Sequence, residues 1–504
     1  MSEWLFRFSR PSGPLLLLAG YFLLQWVLRI TMGGGFELDE SEQLIFGQRL
    51  QIGYSADPPL YTWLQIPLLR LLGEGAAALA LLKNLLLFLS YTCCYFIGRQ
   101  AGLSVERAGL AALSLILLPQ IGWESQRDLT HSVLVTSVAA ASLWALLALL
   151  NGRRGPGQYA LLGLLFGLGL LSKYNFAIFI LAATIALATL QPRLVWRPAF
   201  LLTLLICALT VTPFLLWLID NSVLATSTAH KLEVGDSPGY WGGLSKGLLS
   251  LVVSYAAFCG LLLLALLVSF RPWGDASISG PPAQRAPLAV QLLRRMLWIT
   301  PLILLLILLL AGGAVYRDRY LLPLLFFLPV MAFLLLPEQA ILRGLKGYRR
   351  WLLAVMILIP LGLLVRAHLI PLTGKATKQS YPGQELAQIL IRDAGAPAFV
   401  IANRGFIGGN LKPHMGDAFV GSTQAQFPWR EMLGGRSQPI LLVWEPHKSG
   451  REFEKVKVYL QQQLGPGVSA LSATGKAIAH YRNADGPEAV LQWQLWGETA
   501  PATQ

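Results

Sequence analysis

Asp39 and Glu40 are adjacent carboxylates in the stretch GGGFELDESEQ, directly after an apolar run from Pro14 to Ile30. With its flanks that run crosses a bilayer, because about twenty helical residues span the roughly 30 Å hydrocarbon core. The pair therefore stands at a membrane–water boundary, where a general base acting on a lipid-linked substrate has to sit. An ordinary structural role competes for the same residues. Asp39-x-x-Glu42 has the spacing of a helix N-cap and its N3 glutamate, predicting a juxtamembrane helix to about Arg49. The two roles are compatible, since on a helix Asp39 and Glu40 point about 100° apart. One carboxylate can face a cavity while the other holds the loop.

Four further clusters carry chemistry-bearing side chains. In Asp57-Pro58-Pro59-Leu60-Tyr61-Thr62-Trp63 the prolines remove two donors and stiffen the chain. Tyr61 and Trp63 suit an interfacial aromatic belt, and Asp57 is the one residue there with a chemical reading. In Glu124-Ser125-Gln126-Arg127-Asp128-Leu129-Thr130-His131, ionisable groups crowd a helix–helix corner. A charge at the centre of a spanning helix costs about 2.5–3.5 kcal/mol, so such groups line cavities or pair; an Arg127–Asp128 surface pair is the plain alternative. Lys173 interrupts a long apolar stretch in GLLSKYNF, and either marks a turn between two short helices or snorkels. Arg317-Asp318-Arg319-Tyr320 offers two guanidiniums, which grip a lipid phosphate bidentately. His230, Lys231, Glu233 and Asp236 lie in a long polar gap that reads as a mobile lid or a solvated loop. Together these residues set acidic corners and cations on one membrane face. That is the charge layout for a departing phosphate and a hydroxyl that must lose its proton.

The elements that position them are mostly apolar. The chain has 504 residues, is 55% hydrophobic and 13% charged, and carries a net charge of +14. Its mean hydropathy is +0.55, too high for a soluble protein of this length. Apolar runs at about 14–31, 76–98, 107–123, 132–150, 158–172, 175–190, 199–219, 247–270, 297–314, 319–336 and 351–366 predict about eleven transmembrane helices. The gaps at Arg99 to Arg107, Arg153–Arg154, Arg193 to Arg197, Arg271 to Arg295 and Arg343 to Arg350 are basic. Those gaps are the cytoplasmic set, and the acid-bearing gaps lie on the opposite side. The basic excess thus follows membrane topology, and nucleic-acid binding is not expected. Arg7 and Arg10 precede an uncleaved first span. An odd number of spans from a cytoplasmic N-terminus puts the C-terminus outside. Cys93, Cys94, Cys207 and Cys259 all sit in apolar runs without metal-ligand spacing, so neither a disulfide nor a zinc site is expected.

From about residue 367 the composition changes. PAFVIANRG and PILLVWEP read as buried strands, GQELAQILIRDAG and REFEKVKVYLQQQLG as amphipathic helices ending at glycine. The segment at 271–295 reads as a flexible loop with an amphipathic end. The expected architecture is a mainly α, polytopic membrane module over 1–366, followed by an extracytoplasmic α/β domain over 367–504.

Leu38-Asp39-Glu40 after the first span, Pro58-Pro59-Leu60-Tyr61, and Arg319-Tyr320-Leu321-Leu322-Pro323 occur in that order. In this the chain resembles the membrane-embedded GT-C glycosyltransferases of family 39/83, which include protein O-mannosyltransferases, the lipid A aminoarabinose transferase and lipopolysaccharide galacturonosyltransferases. The likeness covers most of 1–366. It implies a polyprenyl-phosphate sugar donor, transfer with inversion, and an active site on the outer face of the bacterial inner membrane. The family's acidic motif maps onto Asp39-Glu40, with Asp39 the favoured base and Glu40 in support. Its Pro-Pro-Leu motif maps onto Pro58-Pro59-Leu60, its Arg-Tyr pair onto Arg319-Tyr320, and a lysine onto Lys173. This chain has Tyr174 in place of the usual glycine, Asp57 where many members have histidine, and His131 where many have aspartate.

The expected function is therefore transfer of a sugar to lipopolysaccharide, lipid A or another envelope glycan, with membrane lipid as surroundings. Asp39 and Glu40 form the catalytic pair, while Lys173, Arg317, Arg319 and Tyr320 hold the donor phosphate. Asp57, Pro58, Pro59, Tyr61, Arg127, Asp128 and His131 bind substrate. A divalent cation near Asp39 and Asp128 is left open. Protein O-mannosyl transfer is the alternative within the class. A lipid or solute transporter is the alternative outside it, since boundary charges also mark transport pathways. Against transport stand the odd span count, the lack of an inverted repeat, and charges at one face rather than the midplane. A membrane anchor for the outer domain would not need so many helices with ionisable corners.

Overall fold

Every apolar run forms helix in the computed structural model, which describes residues 10–222, 239–270, 287–313, 315–433, 439–446, 451–465, 468–483 and 486–498. Among these residues seven helices are long and apolar enough to cross a membrane: Ser12–Met32, Ala76–Gln100, His131–Leu150, Pro198–Asp220, Tyr240–Ser269, Leu288–Ala311 and Glu338–Leu372. Two further runs are broken. Val105–Leu117 and Gln120–Arg127 meet at 77°, Asp318–Leu325 and Leu328–Leu335 at 56°, and counting each pair as one span gives nine. Pro119 lies at the first break, where it cannot donate to the helix ladder, and the π-helical turn Gln120–Glu124 follows it. Pro156–Leu170 and Phe176–Leu190 are shorter apolar helices of fifteen residues. Each is roughly 22 Å long at about 1.5 Å per residue, less than the hydrocarbon thickness. The eleven expected spans thus correspond to eleven apolar elements, of which seven to nine reach spanning length. His230, Lys231, Glu233 and Asp236 lie outside the described residues, as do positions 271–286 of the expected loop.

The chain divides into two compact units that alternate along the sequence. The first comprises Met1–Gln25, Ala56–Tyr61 and Lys83–Ile359, the second Trp26–Ser55, Thr62–Leu82 and Pro360–Gln504. In the first, helix His131–Leu150 is buried along nearly all its length. Pro198–Asp220 and Tyr240–Ser269 expose leucines such as Leu209 and Leu249, as lipid-facing helices do. Helices Pro156–Leu170 and Pro198–Asp220 approach closely through Gly163 and Gly167. A Cβ at Gly163 would lie 2.5 Å from the Thr203 carbonyl oxygen, and one at Gly167 2.6 Å from Thr210 Cβ. This is the small-x-x-x-small contact of membrane helix pairs. The Thr203 hydroxyl donates across it to the Tyr159 carbonyl at 2.8 Å.

The second unit is α/β. Its sheet has the order β2-β1-β3-β5-β4, with β1 Phe399–Ala402, β2 Phe419–Ser422, β3 Ile440–Trp444, β4 Val468–His480 and β5 Glu488–Glu498. β1 is parallel to β2 and β3, with Phe399 opposite Phe419 and Ile440. β5 runs antiparallel to both β3 and β4. Alternation along β1 sends Val400 and Ala402 into one core and Ile401 into the other. Helices Gly383–Ala394 and Gly405–Leu411 supply Leu386, Leu390, Ile407 and Leu411 to the first core. The other core takes Val456 and Leu460 from Arg451–Leu464, together with Ile45, Phe46 and Tyr54 from far earlier in the sequence. Both predicted strands and both predicted helices are present.

Candidate active site

Within the first unit, four separate sequence segments converge. Lys173 stands in the turn that joins the two short apolar helices, so of its two expected placements the turn is realised. Its ammonium donates to the Ser132 hydroxyl at 2.6 Å and lies 5.9 Å from the centre of the Tyr320 ring. The Arg319 guanidinium carbon is 5.8 Å from the same ring. Two cations thus share one aromatic side chain, at cation–π range. Asn175 ties the turn to this segment by donating to the Tyr320 carbonyl at 2.9 Å. Asp318 holds the segment's own turn by accepting from the Arg319 amide at 2.8 Å, and it also accepts from the Gln120 side chain. Arg317 is exposed just ahead, its carbonyl accepting from the Tyr320 amide at 2.8 Å.

The Asp57–Tyr61 segment joins the same group. The Leu60 amide donates to the Leu171 carbonyl at 3.1 Å, and the Tyr174 hydroxyl donates to the Ala56 carbonyl at 2.7 Å. Pro58 and Pro59 are buried and half-buried Asp57 precedes them. The departure at Tyr174 therefore has a visible use: a glycine there could not anchor the Asp57 loop. Buried Tyr61 packs against His131, ring centres 5.7 Å apart. His131 opens the helix that carries Ser132, so Tyr61, His131, Ser132, Lys173, Tyr320 and Arg319 are linked contact by contact.

The acidic corner lies beside the first broken span. Arg127 bonds Glu124 through Nη2 at 2.5 Å and Nε at 3.1 Å. Asp128 is buried at the end of the helix Ser125–Arg127, and its carbonyl accepts from Lys83 at 3.3 Å. Lys83 and Asn84 are buried in the middle of an apolar helix, Asn84 accepting from Gln126 at 3.0 Å. Neither was singled out from the sequence, although the break they make in LALLKNLLL is the signal that intramembrane polar groups give.

Asp39 and Glu40 belong to the second unit, on helix Leu38–Phe46. The cap falls two residues earlier than the Asp39-x-x-Glu42 spacing suggests. Glu37 is the N-cap and Glu40 the N3 residue of the capping box, the Glu40 carboxylate accepting from the Glu37 amide at 3.2 Å. Glu40 is 1% exposed and takes a fork from Arg29, Nη2 at 2.8 Å and Nε at 3.3 Å. Both of its oxygens therefore hold the loop. Half-buried Asp39 occupies the turn between these two fastened glutamates. On the helix's other side, a Cβ at Gly409 would lie 2.1 Å from the Ser41 carbonyl oxygen, and one at Gly405 3.2 Å from Glu42 Cγ. Among the described residues no three His, Cys, Asp or Glu side chains gather in a metal-holding group.

Three comparisons bear on this arrangement. The family described as dolichyl-phosphate-mannose-protein mannosyltransferase matches residues 56–217. The lipopolysaccharide core galacturonosyltransferase RgtA of Rhizobium johnstonii is 32% identical over 473 residues, 92% of this chain and 91% of that protein. RgtB of the same organism, with the same description, is 33% identical over 460 residues, 89% of this chain and 90% of that protein. Among solved structures, ArnT from Cupriavidus metallidurans aligns over 95% of this chain and 98% of its own. Its apo form gives a TM-score of 0.58 at 13% identity, and its form bound to undecaprenyl phosphate 0.54 at 14%. At such identity the likeness is one of fold.

Proposed function

Because the chain belongs to the membrane-embedded GT-C glycosyltransferases, in the family of the lipopolysaccharide core galacturonosyltransferases, we propose that it transfers galacturonic acid from a polyprenyl-phosphate donor to a lipopolysaccharide core or lipid A acceptor. Transfer takes place on the outer face of the bacterial inner membrane, with inversion. The membrane module of 1–366 carries the chemistry, and the α/β segment of 367–504 is periplasmic. The acceptor hydroxyl oxygen attacks the anomeric carbon and gives its proton to Asp39. The bond from that carbon to the phosphate oxygen breaks, and its electron pair leaves with the polyprenyl phosphate. Lys173, Arg317 and Arg319 meet the charge that develops there, while Tyr320 spaces two of these cations. Asp57, Pro58, Pro59, Tyr61, Arg127, Asp128 and His131 line the substrate.

The observation that carries this reading is the meeting of Lys173 and Arg319 on Tyr320 beside a broken span. A cationic group of that kind fits a phosphate at the bilayer boundary. The test is to reconstitute the full chain in liposomes with polyprenyl phosphates bearing galacturonic acid, aminoarabinose or mannose, and with lipopolysaccharide core or peptide acceptors, then weigh the products. A uronic acid added to the glycolipid is expected. Mannose on peptide would favour the activity named by the matched family, and counterflow without any covalent product would favour transport. Asp39→Asn should lower transfer by about 10²–10⁴-fold while donor binding persists; full activity in that variant removes Asp39 from the mechanism.

A further inference from the structure

Glu37 is fully buried yet ionisable, and it is the N-cap of the helix that carries Asp39. Arg366 reaches its Oε1 at 2.5 Å and Lys378 lies 3.7 Å from its Oε2. Arg366 sits in the π-helical turn Val365–Leu369, directly after helix Glu338–Leu364. Such single wide turns re-aim a side chain and recur at functional sites. A third clamp comes from Asn410. Its Oδ1 accepts from the Phe36 amide at 2.8 Å, and its Nδ2 donates to the Ser41 hydroxyl at 3.0 Å. These contacts bracket Asp39 before and after, and all lie within the second unit.

Burying a carboxylate is a poor way to gain stability, because desolvation offsets most of the attraction to its partners. A buried pair does fix direction, since a carboxylate held at one oxygen by Arg366 and at the other by Lys378, on a capped turn, admits few geometries. We propose that Glu37, Arg366 and Lys378 are positioning residues for Asp39, and that the segment after residue 366 acts in the reaction by holding the catalytic turn. This rests on the assignment of Asp39 as base. A misplacement near 1 Å costs about a hundredfold in rate, so the loss belongs in kcat and not in donor KM.

The test uses the full chain in liposomes, with polyprenyl-phosphate galacturonic acid as donor and lipopolysaccharide core as acceptor. Glu37→Gln and Arg366→Met should each lower kcat roughly tenfold to a hundredfold, with donor KM within about twofold of the parent. The double variant, in which neither side chain is charged, should lose no more than the worse single, because both act through one turn. Lys378→Met, at the half-exposed end, should fold and lose kcat severalfold, and it decides the matter if the buried variants do not fold. A folded Glu37→Gln or Lys378→Met with parental kcat, or a loss carried by KM, overturns the proposal. Full activity in Asp39→Asn overturns the earlier assignment instead. Asp39→Asn inactive beside a fully active Glu37→Gln separates the two.

Discussion

Lys173 holds two partners of different kinds, a hydroxyl at 2.6 Å and an aromatic face. Lys173→Met keeps the stem and removes the charge. Its expected result is a fall in kcat of about 10²–10³-fold, read from steady-state kinetics with the lipid-linked donor. A change confined to acceptor KM would move Lys173 out of the phosphate group. At this scale the sequence was informative wherever polarity broke an apolar run. Lys173 and Arg319 stood out for that reason, and Lys83, Asn84 and Arg29 carry the same mark. Glu37 and Asn410 carry no mark, because their meaning lies in partners hundreds of positions away. The capping box was legible in kind but misplaced, since three glutamates and an aspartate within six positions, Glu37 to Glu42, offer more than one register.

The helix Leu38–Phe46 depends on small residues opposite it. Gly409 has no room for a side chain, its Cβ direction ending 2.1 Å from the Ser41 carbonyl oxygen. Gly409→Val should therefore push the two helices apart, destabilise the second unit by about 1–3 kcal/mol, and lower kcat as well. Thermal unfolding and a rate measurement on one preparation check both. A variant with parental melting would show that the helices yield without strain. Long apolar helices were easy to foresee from composition, and so were β1 and β3, which read as FVIA and ILLVW. β4 and β5 were not, because SALSATGKAIAH and AVLQWQLW are mixed in polarity and gain their order from pairing with each other. The broken spans were read as continuous, since an apolar run gives little sign of where a proline and a π-turn will bend it.

For the whole molecule, acid should loosen the second unit in two stages. Burial, and after it the Arg482 charge, holds His414 below its ordinary value. The unfolded chain therefore takes up the proton first, so this stability is complete above about pH 6.5 and is lost as pH falls toward the folded value. Glu452 is held below the ordinary carboxylate range by hydrogen bonds from Lys455 and Asn403, and its share goes only under more acid conditions. Hydrogen exchange of peptides around 403–420 and 452–460 should show protection falling first near His414 and later near Glu452; protection near His414 that stays flat as pH falls below about 6.5 would contradict the first stage, and protection near Glu452 that stays flat below about 4.3 the second. The alternation of the two units along the chain also has a consequence for synthesis. Phe36 and its partner Asn410 are 374 residues apart. At about 5–20 residues per second, the ribosome needs ~20–75 s to connect them. Throughout that interval the segment around Glu37 has left the first span without the residues that will enclose it. It must wait in water or in the care of a chaperone. A nonsense codon anywhere before residue 410 would leave it waiting for good, so loss of the last fifth of the gene should cost the protein the enclosed form of the loop that carries Asp39.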